Sequence, residues 1–231
     1  MQPPAMQKCI DRFDRPASFV ENTRDMGNLK TKSDLTRAQI IQGALQALEK
    51  MGVIGATTRR IAAEANVQLA TLHYHFESKS ALLVAVLETL IDDIARRLRD
   101  ERPGPELDLD QRIEDLIRGT WRSIMRTRSR QIVQYELTLY ALREGEQWFA
   151  DQQYEAYLRL YQDNLVSSRP GKQPLSNADY ASLARFILAG IDGLILQELA
   201  RPNRIRSNQA IEALIFGAKQ YSYELLRKSG K

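Results

Sequence analysis

From Ser33 onward the apolar positions recur at steps of three and four residues, and they keep doing so almost to the end of the chain. Ile41, Ala44, Leu45 and Leu48 form an i, i+3, i+4, i+7 stripe, which lines one face of a helix. Ser33 is the N-cap this stripe predicts, and Gly52 is its end. A second helix is expected to start at Ala56 or Thr57. Ser78 predicts the cap of a longer helix from Lys79, with Leu82, Leu83, Val86, Leu87, Leu90, Ile91, Ile94 and Leu98 on its buried side. The segment ERPGPELDLD (101–110) interrupts it with prolines and a glycine. Three further amphipathic stretches follow. Residues 110–127 align Ile113, Leu116, Ile117, Thr120, Trp121, Ile124 and Met125. After a junction at RTRSR (126–130), residues 130–143 align Ile132, Val133, Leu137 and Tyr140, and 146–167 align Tyr154, Tyr157, Leu158, Tyr161 and Leu165. SSRPGKQPLSN (167–177) reads as a loop, and two long helices close the chain at about 178–200 and 207–228. No stretch alternates with period two and none repeats. The expected class is all-α, with a bundle-like body.

The first 32 residues lack this periodicity. They carry Pro3, Pro4, Pro16 and mixed charge, and read as a flexible extension. Met26 is an alternative first residue. Lys30 and Lys32 form a basic stretch with two readings: an arm that follows a phosphate backbone, or a solvated tail.

The segment TTRRIAAEANVQLATLHYHFESK (57–79) carries the most chemistry. It predicts two short helices joined by a tight turn. Asn66 sits at the turn, where a residue tolerant of positive φ is needed. Ile61, Ala62 and Ala65 give the first helix an inward face; Val67, Leu72 and Phe76 do so for the second. Gln68, Leu69, Thr71, His73 and Tyr74 are left pointing outward. A helix anchored in this way, with donors and acceptors on its free side, suits the major groove of DNA.

The same stretch resembles the DNA-binding segment of the TetR family of bacterial transcriptional regulators. The match is carried by Thr57, Ile61, Ala62, Ala65, Val67, Thr71, Leu72, His75, Phe76, Ser78, Lys79 and Leu82 at fixed spacing. Four positions depart from the family pattern: Asn66 replaces the turn glycine, Gln68 the capping serine, Ala70 a glycine, and His73 a phosphate-binding tyrosine. The resemblance implies a helix-turn-helix head over residues 33–78 and a ligand-binding and dimerisation body over 79–231. It places Thr57, Thr58, Gln68, Leu69, Ala70, Thr71, His73, Tyr74 and Lys79 at the DNA, with Tyr74 and Lys79 on phosphates. The implied partner is a double-stranded operator of approximate two-fold symmetry, read by a homodimer.

Composition narrows the picture little further. The chain has 231 residues, 43% of them hydrophobic, and a net charge of +4, which is compatible with nucleic acid without pointing to it. One cysteine, Cys9, excludes an internal disulfide and suits a reducing cytoplasm. Two histidines, both in the reading segment, leave no soft-ligand metal site, and no cofactor is expected. No apolar run approaches the roughly 20 residues of a membrane span. The expected location is the cytoplasm.

The last two helices hold small residues among bulky ones. A glycine inside a helix costs roughly 0.8–1.0 kcal/mol relative to alanine, so it calls for a packing reason. Close approach of a second copy at Ala189, Gly190, Gly193, Ile211, Leu214 and Ala218 is one such reason; an ordinary buried core is the other. The resemblance favours the first, as a four-helix dimer interface. It also implies a small-molecule effector bound within the body. The aromatic residues there include Tyr135 and Phe149, and the candidate lining is Trp121, Met125, Glu136, Tyr140, Trp148, Tyr154, Tyr157, Tyr161 and Phe186, with Arg122 and Gln134 as weaker candidates. Glu136 would be a buried acceptor. Two rival functions stay open: a helical interaction protein that keeps the head without using it, and a helical enzyme. Against the enzyme, no nucleophile–base–orienter set and no phosphate-cradling glycine loop is present.

Overall fold

The structure is a computed structural model that describes residues 31–100, 107–166 and 174–228. The described residues are helical throughout, in the order α1 Lys32–Gly55, α2 Thr58–Glu64, α3 Leu69–His75, α4 Lys79–Asp100, α5 Leu109–Arg126, α6 Arg128–Arg143, α7 Gln147–Leu165, α8 Asn177–Ala200 and α9 Arg204–Lys228. The N-terminal extension to residue 30, and most of the two predicted loops, lie outside the described residues. The chain divides into two compact units, Met1–Gln39 and Ile40–Lys231.

The described part of the first unit begins α1, and it corrects the expected cap. Thr31, not Ser33, closes the helix start. Its backbone N–H donates to Asp34 Oδ2 at 3.0 Å, and Asp34 N–H returns to Thr31 Oγ1 at 3.1 Å. Such a reciprocal pair needs an acceptor three residues after the cap. Thr31 has Asp34 there; Ser33 is already inside the first turn.

In the second unit, Gly52 breaks α1 with φ 68° and ψ 173°, after which one short turn runs to Gly55. The N-termini of α5 and α8 are closed by capping boxes, Asp108 with Gln111 and Ser176 with Asp179. Ile94, Ile113, Ile117, Leu165, Leu183, Ile187 and Ile211 join α4, α5, α7, α8 and α9 in one apolar core. Each such side chain contributes about 1.5–3 kcal/mol by leaving water, so this core holds the body together. The stripe expected on α6 is partly wrong. Val133 and Leu137 are buried, but so are Gln131 and Gln134, while Ile132 is 46% exposed.

Packing also corrects the list proposed for an interface between copies. Ile211 and Ala218 are buried within their own chain. Gly190 faces Leu214 of the same chain so closely that a Cβ would come within 2.4 Å of a leucine methyl. The glycine is needed for α8 to meet α9, and this accounts for four of the six named residues. Ala189 is exposed, and nothing lies within 4 Å of where a Cβ on Gly193 would be. The outward apolar face of these helices runs instead through Phe186, Leu196 and Phe216, the last 67% exposed.

Candidate functional site

The reading segment is built from its caps inward. Thr57 opens α2, its hydroxyl accepting from Arg60 N–H at 3.4 Å, and the Arg60 guanidinium donates to Gly55 O at 3.1 Å. At the far end Ala65, Asn66 and Val67 donate in turn to Ile61 O, Ala63 O and Ala62 O at 2.8–3.0 Å. This closure needs a left-handed residue, and Asn66 supplies it with φ 52°. Gly43 of α1 lies directly under the turn; a Cβ there would come within 2.5 Å of Ala65. Gln68 begins α3 with extended backbone, but its side chain caps nothing, which leaves the amide free on the surface.

The anchors under α3 are Leu72 and Phe76, 1% and 3% exposed, together with Ile61 and Ala62 of α2. Val67 is only half-buried. On the opposite flank Gln68, Ala70, His73 and Tyr74 are exposed, Tyr74 by 83%, and Leu69 and Thr71 are half-exposed. The polar flank therefore faces solvent. Thr57 is exposed and Thr58 half-buried at the start of α2, beside an exposed Arg59 that sequence reasoning did not single out. Lys79 is the exception to the expected set. Its ammonium donates to Val53 O at 2.7 Å and lies 5.2 Å from the centre of the Tyr140 ring. Burial lowers its pKa, against the opposing charge of Glu144. A lysine engaged in this way is not held out toward a phosphate.

Lys79 belongs to a junction between the reading segment and the body. Beyond the kink at Gly52, Val53 N–H points at the body, and Glu136 Oε2 accepts it at 3.1 Å. The Glu136 carboxylate also sits 3.1 Å from where a Cβ on Gly52 would be. One turn from the start of the same helix α6, Ser129 donates to Glu49 at 3.2 Å, and Arg130 pairs with Asp93 of α4 at 2.7 Å. α6 thus holds the C-terminal part of α1 at Glu49 and at Val53.

The other face of α6 lines a cavity of about 150 Å³. Gln131, Gln134, Tyr135 and Thr138 contribute from α6, Gln153, Tyr154 and Tyr157 from α7, and Leu188, Asp192 and Ile195 from α8, with Ile94 and Ile124 closing it. Tyr135 OH lies 3.2 Å from Asp192 Oδ1, and Thr138 Oγ1 donates to Gln153 Oε1 at 2.7 Å. The Tyr157 hydroxyl and the Gln134 amide nitrogen are buried neighbours, and neither completes a hydrogen bond of normal geometry. Burial raises the Asp192 carboxyl from 3.8 to about 6, only partly offset by the Tyr135 hydrogen bond. The Tyr135, Tyr157 and Tyr161 hydroxyls are all pushed up, first by desolvation.

Of the nine residues expected to line a ligand site, Tyr154 and Tyr157 line this cavity, and Glu136 and Tyr140 line a second one of about 630 Å³. Glu136 and Tyr140 stand on the opposite face of α6, at the junction. Trp121 and Met125 pack on the body core, Tyr161 is buried within it, Trp148 lies edge-on to Phe149, and Phe186 leans on Tyr221. Asp192, Gln131, Thr138 and Gln153 line this cavity without having been singled out in the sequence. One signal was legible: Gln131, Gln134, Tyr135 and Thr138 recur at i, i+3, i+4 and i+7, so polar groups share a single helix face. Among the described residues no group of three His, Cys, Asp or Glu side chains could hold a metal ion, and no helix is long and apolar enough to cross a membrane.

Comparison with known proteins agrees with this geometry. The family model of bacterial regulatory proteins of the tetR family matches residues 40–86, from α1 into α4. The nicotine-responsive transcriptional repressor HdnoR of Paenarthrobacter nicotinovorans is 25% identical over 182 residues, which cover 78% of this chain and 91% of that protein. The multidrug binding protein EbrR, solved in complex with imidazole, is 28% identical with a TM-score of 0.57, covering 77% of this chain and 92% of its own. A TetR family member from Streptomyces coelicolor A3 superposes with a TM-score of 0.60 at 27% identity, over 78% of this chain and 95% of that one. With its left-handed turn, its buried anchors and its solvent-facing α3, the segment 40–86 is of the tetR type of bacterial regulatory proteins, and the chain is similar over most of its length to regulators of that family.

Proposed function

We propose that this protein is a cytoplasmic repressor that reads a two-fold symmetric DNA operator and releases it when a small molecule enters the body cavity. The observation that carries the reading is α3, apolar and buried at Leu72 and Phe76, polar and exposed on its other side. In the groove, Gln68, Thr71 and His73 reach base edges, Leu69 and Ala70 fill space against thymine methyls, and Tyr74 with Thr57 and Thr58 touches the backbone. Residues 33–78 serve as the DNA-binding segment and 79–231 as the body. Two copies join through the exposed face of α8 and α9, around Phe186, Ala189, Gly193 and Phe216. Such a two-fold pair reads an approximate palindrome.

The effector acts by linkage: it shifts the equilibrium only by its different affinity for the bound and released arrangements. α6 supplies the physical connection, since one face lines the cavity while Glu136 on the other holds Val53. The relatives' responsiveness to nicotine and multidrug binding support an effector of mainly apolar, ring-bearing character.

The test is fluorescence anisotropy with labelled DNA from upstream of the protein's own gene, together with a footprint. The expected outcome is saturable binding and protection of an inverted repeat. Gln68→Ala and Thr71→Ala are expected to change the ranking of operator variants by about 1–3 kcal/mol per altered base pair. An unchanged ranking would remove α3 as the reading element.

A further inference from the structure

The body cavity contains a carboxylate with no cation to balance it. Asp192, on α8, is largely buried and opens into the space between α6 and α7. Its side chain accepts one hydrogen bond, from Tyr135 OH at 3.2 Å. No lysine, arginine or histidine lines the cavity, and among the described residues none forms an ion pair with it. A buried carboxylate with one neutral donor is costly, and proteins normally pair such a group or hold it for a partner. Around it stand the rings of Tyr135, Tyr154 and Tyr157, whose faces attract cations. Beside them the Tyr157 hydroxyl and the Gln134 amide nitrogen lack hydrogen-bond partners. An anionic ligand would meet a second negative charge here, and a neutral one would leave the carboxylate unbalanced.

We infer that the cavity takes a small organic cation, an apolar ring bearing a protonated amine, with the ammonium on Asp192 and the ring among the tyrosines. The size supports one ring: a space of about 150 Å³ is about what a molecule such as benzene occupies. The inference rests on the effector reading given above and makes it specific.

The experiment titrates the full chain by calorimetry with three single-ring probes of similar shape: benzylamine, benzyl alcohol and benzoate. Benzylamine is expected to bind most tightly and benzoate most weakly. Asp192→Asn, which keeps shape and removes charge, is expected to weaken benzylamine by about tenfold or more, with little effect on benzyl alcohol. Asp192→Glu retains the charge and is expected to keep the preference for the amine. Thermal melts of each variant confirm that it folds. Absence of saturable benzylamine binding, a preference for benzoate, or an unchanged benzylamine affinity in folded Asp192→Asn overturns the inference. The same samples are assayed on the upstream DNA. DNA binding without amine binding overturns the ligand class and leaves the regulator reading intact. Amine binding that depends on Asp192, without any DNA binding, supports the ligand class and removes the regulator.

Discussion

The reading segment and the cavity treat their polar groups in opposite ways. Around α2 and α3, the backbone N–H groups of Ala65, Asn66 and Val67 at the turn each have an acceptor, Leu72 and Phe76 are sealed, and Gln68, His73 and Tyr74 are left in water. In the cavity, a carboxylate, a phenol and an amide are buried with one hydrogen bond among them beyond the Tyr157–Gln134 neighbourhood. The first arrangement is complete before any partner arrives, so docking on DNA demands little reorganisation. The second is incomplete, and its buried groups gain most from a ligand that satisfies them. The two regions therefore suit the two halves of the proposed function: a preassembled reader, and a site whose buried polar groups gain from a partner.

The comparison breaks most severely at Phe76. Phe76→Ala removes a side chain that is 3% exposed, and the expected loss is about 3–5 kcal/mol, seen as an earlier urea transition and loss of operator binding. Should Phe76→Ala melt like the parent, the sealed base of α3 would not be what holds it.

The cavity is expected to respond with the opposite sign. Below pH 3.8 the Asp192 carboxyl is protonated whether the chain is folded or not, and it costs nothing. Between 3.8 and about 6 the unfolded chain ionises first, so stability falls as pH rises. Above about 6 the full penalty of roughly 3 kcal/mol applies. The facing hydroxyls of Tyr135, Tyr157 and Tyr161 stay protonated through this window, since each is shifted upward. Asp192→Asn is therefore expected to be more stable than the parent at pH 8, with the gap closing toward pH 4. Urea denaturation at several pH values measures it.

A third substitution addresses the link between the regions. Glu136→Ala removes the acceptor of Val53 N–H and is expected to weaken the influence of a cavity ligand on DNA affinity by about 1–2 kcal/mol, leaving ligand affinity itself nearly intact. Anisotropy with and without benzylamine reads the difference. The smallest effect is expected at the turn. Asn66→Gly relieves a left-handed residue already tolerant of that conformation, so the gain is below about 1 kcal/mol. Asn66→Val, β-branched at φ 52°, is expected to lose more than that gain in a thermal melt.

Particular residues show what was legible in the sequence. Asn66, Leu72 and Phe76 could be assigned from spacing, because a turn and the helix after it are local: neighbours within twenty residues decide them. The start of α2 was narrowed to Ala56 or Thr57, and the structure makes Thr57 the cap through Arg60 three positions later. Lys79 and Glu136 could not be assigned in this way. Each is engaged by Val53, at separations of 26 and 83 residues. Gly190 misled for a related reason. A glycine in a helix signals close approach, and only coordinates reveal that the approaching group is Leu214 of the same chain.

The amino-acid sequence alone determined the all-α class, the helix-turn-helix and the sided character of α3, since helical periodicity, caps and turn residues act over a few positions. Tertiary structure alone decided which face of α6 lines the cavity, that Asp192 stands in it without a cation, and that Lys79 is engaged by Val53 and Tyr140. Those outcomes follow from how helices far apart in the chain pack together, and packing selects among faces that periodicity leaves equivalent.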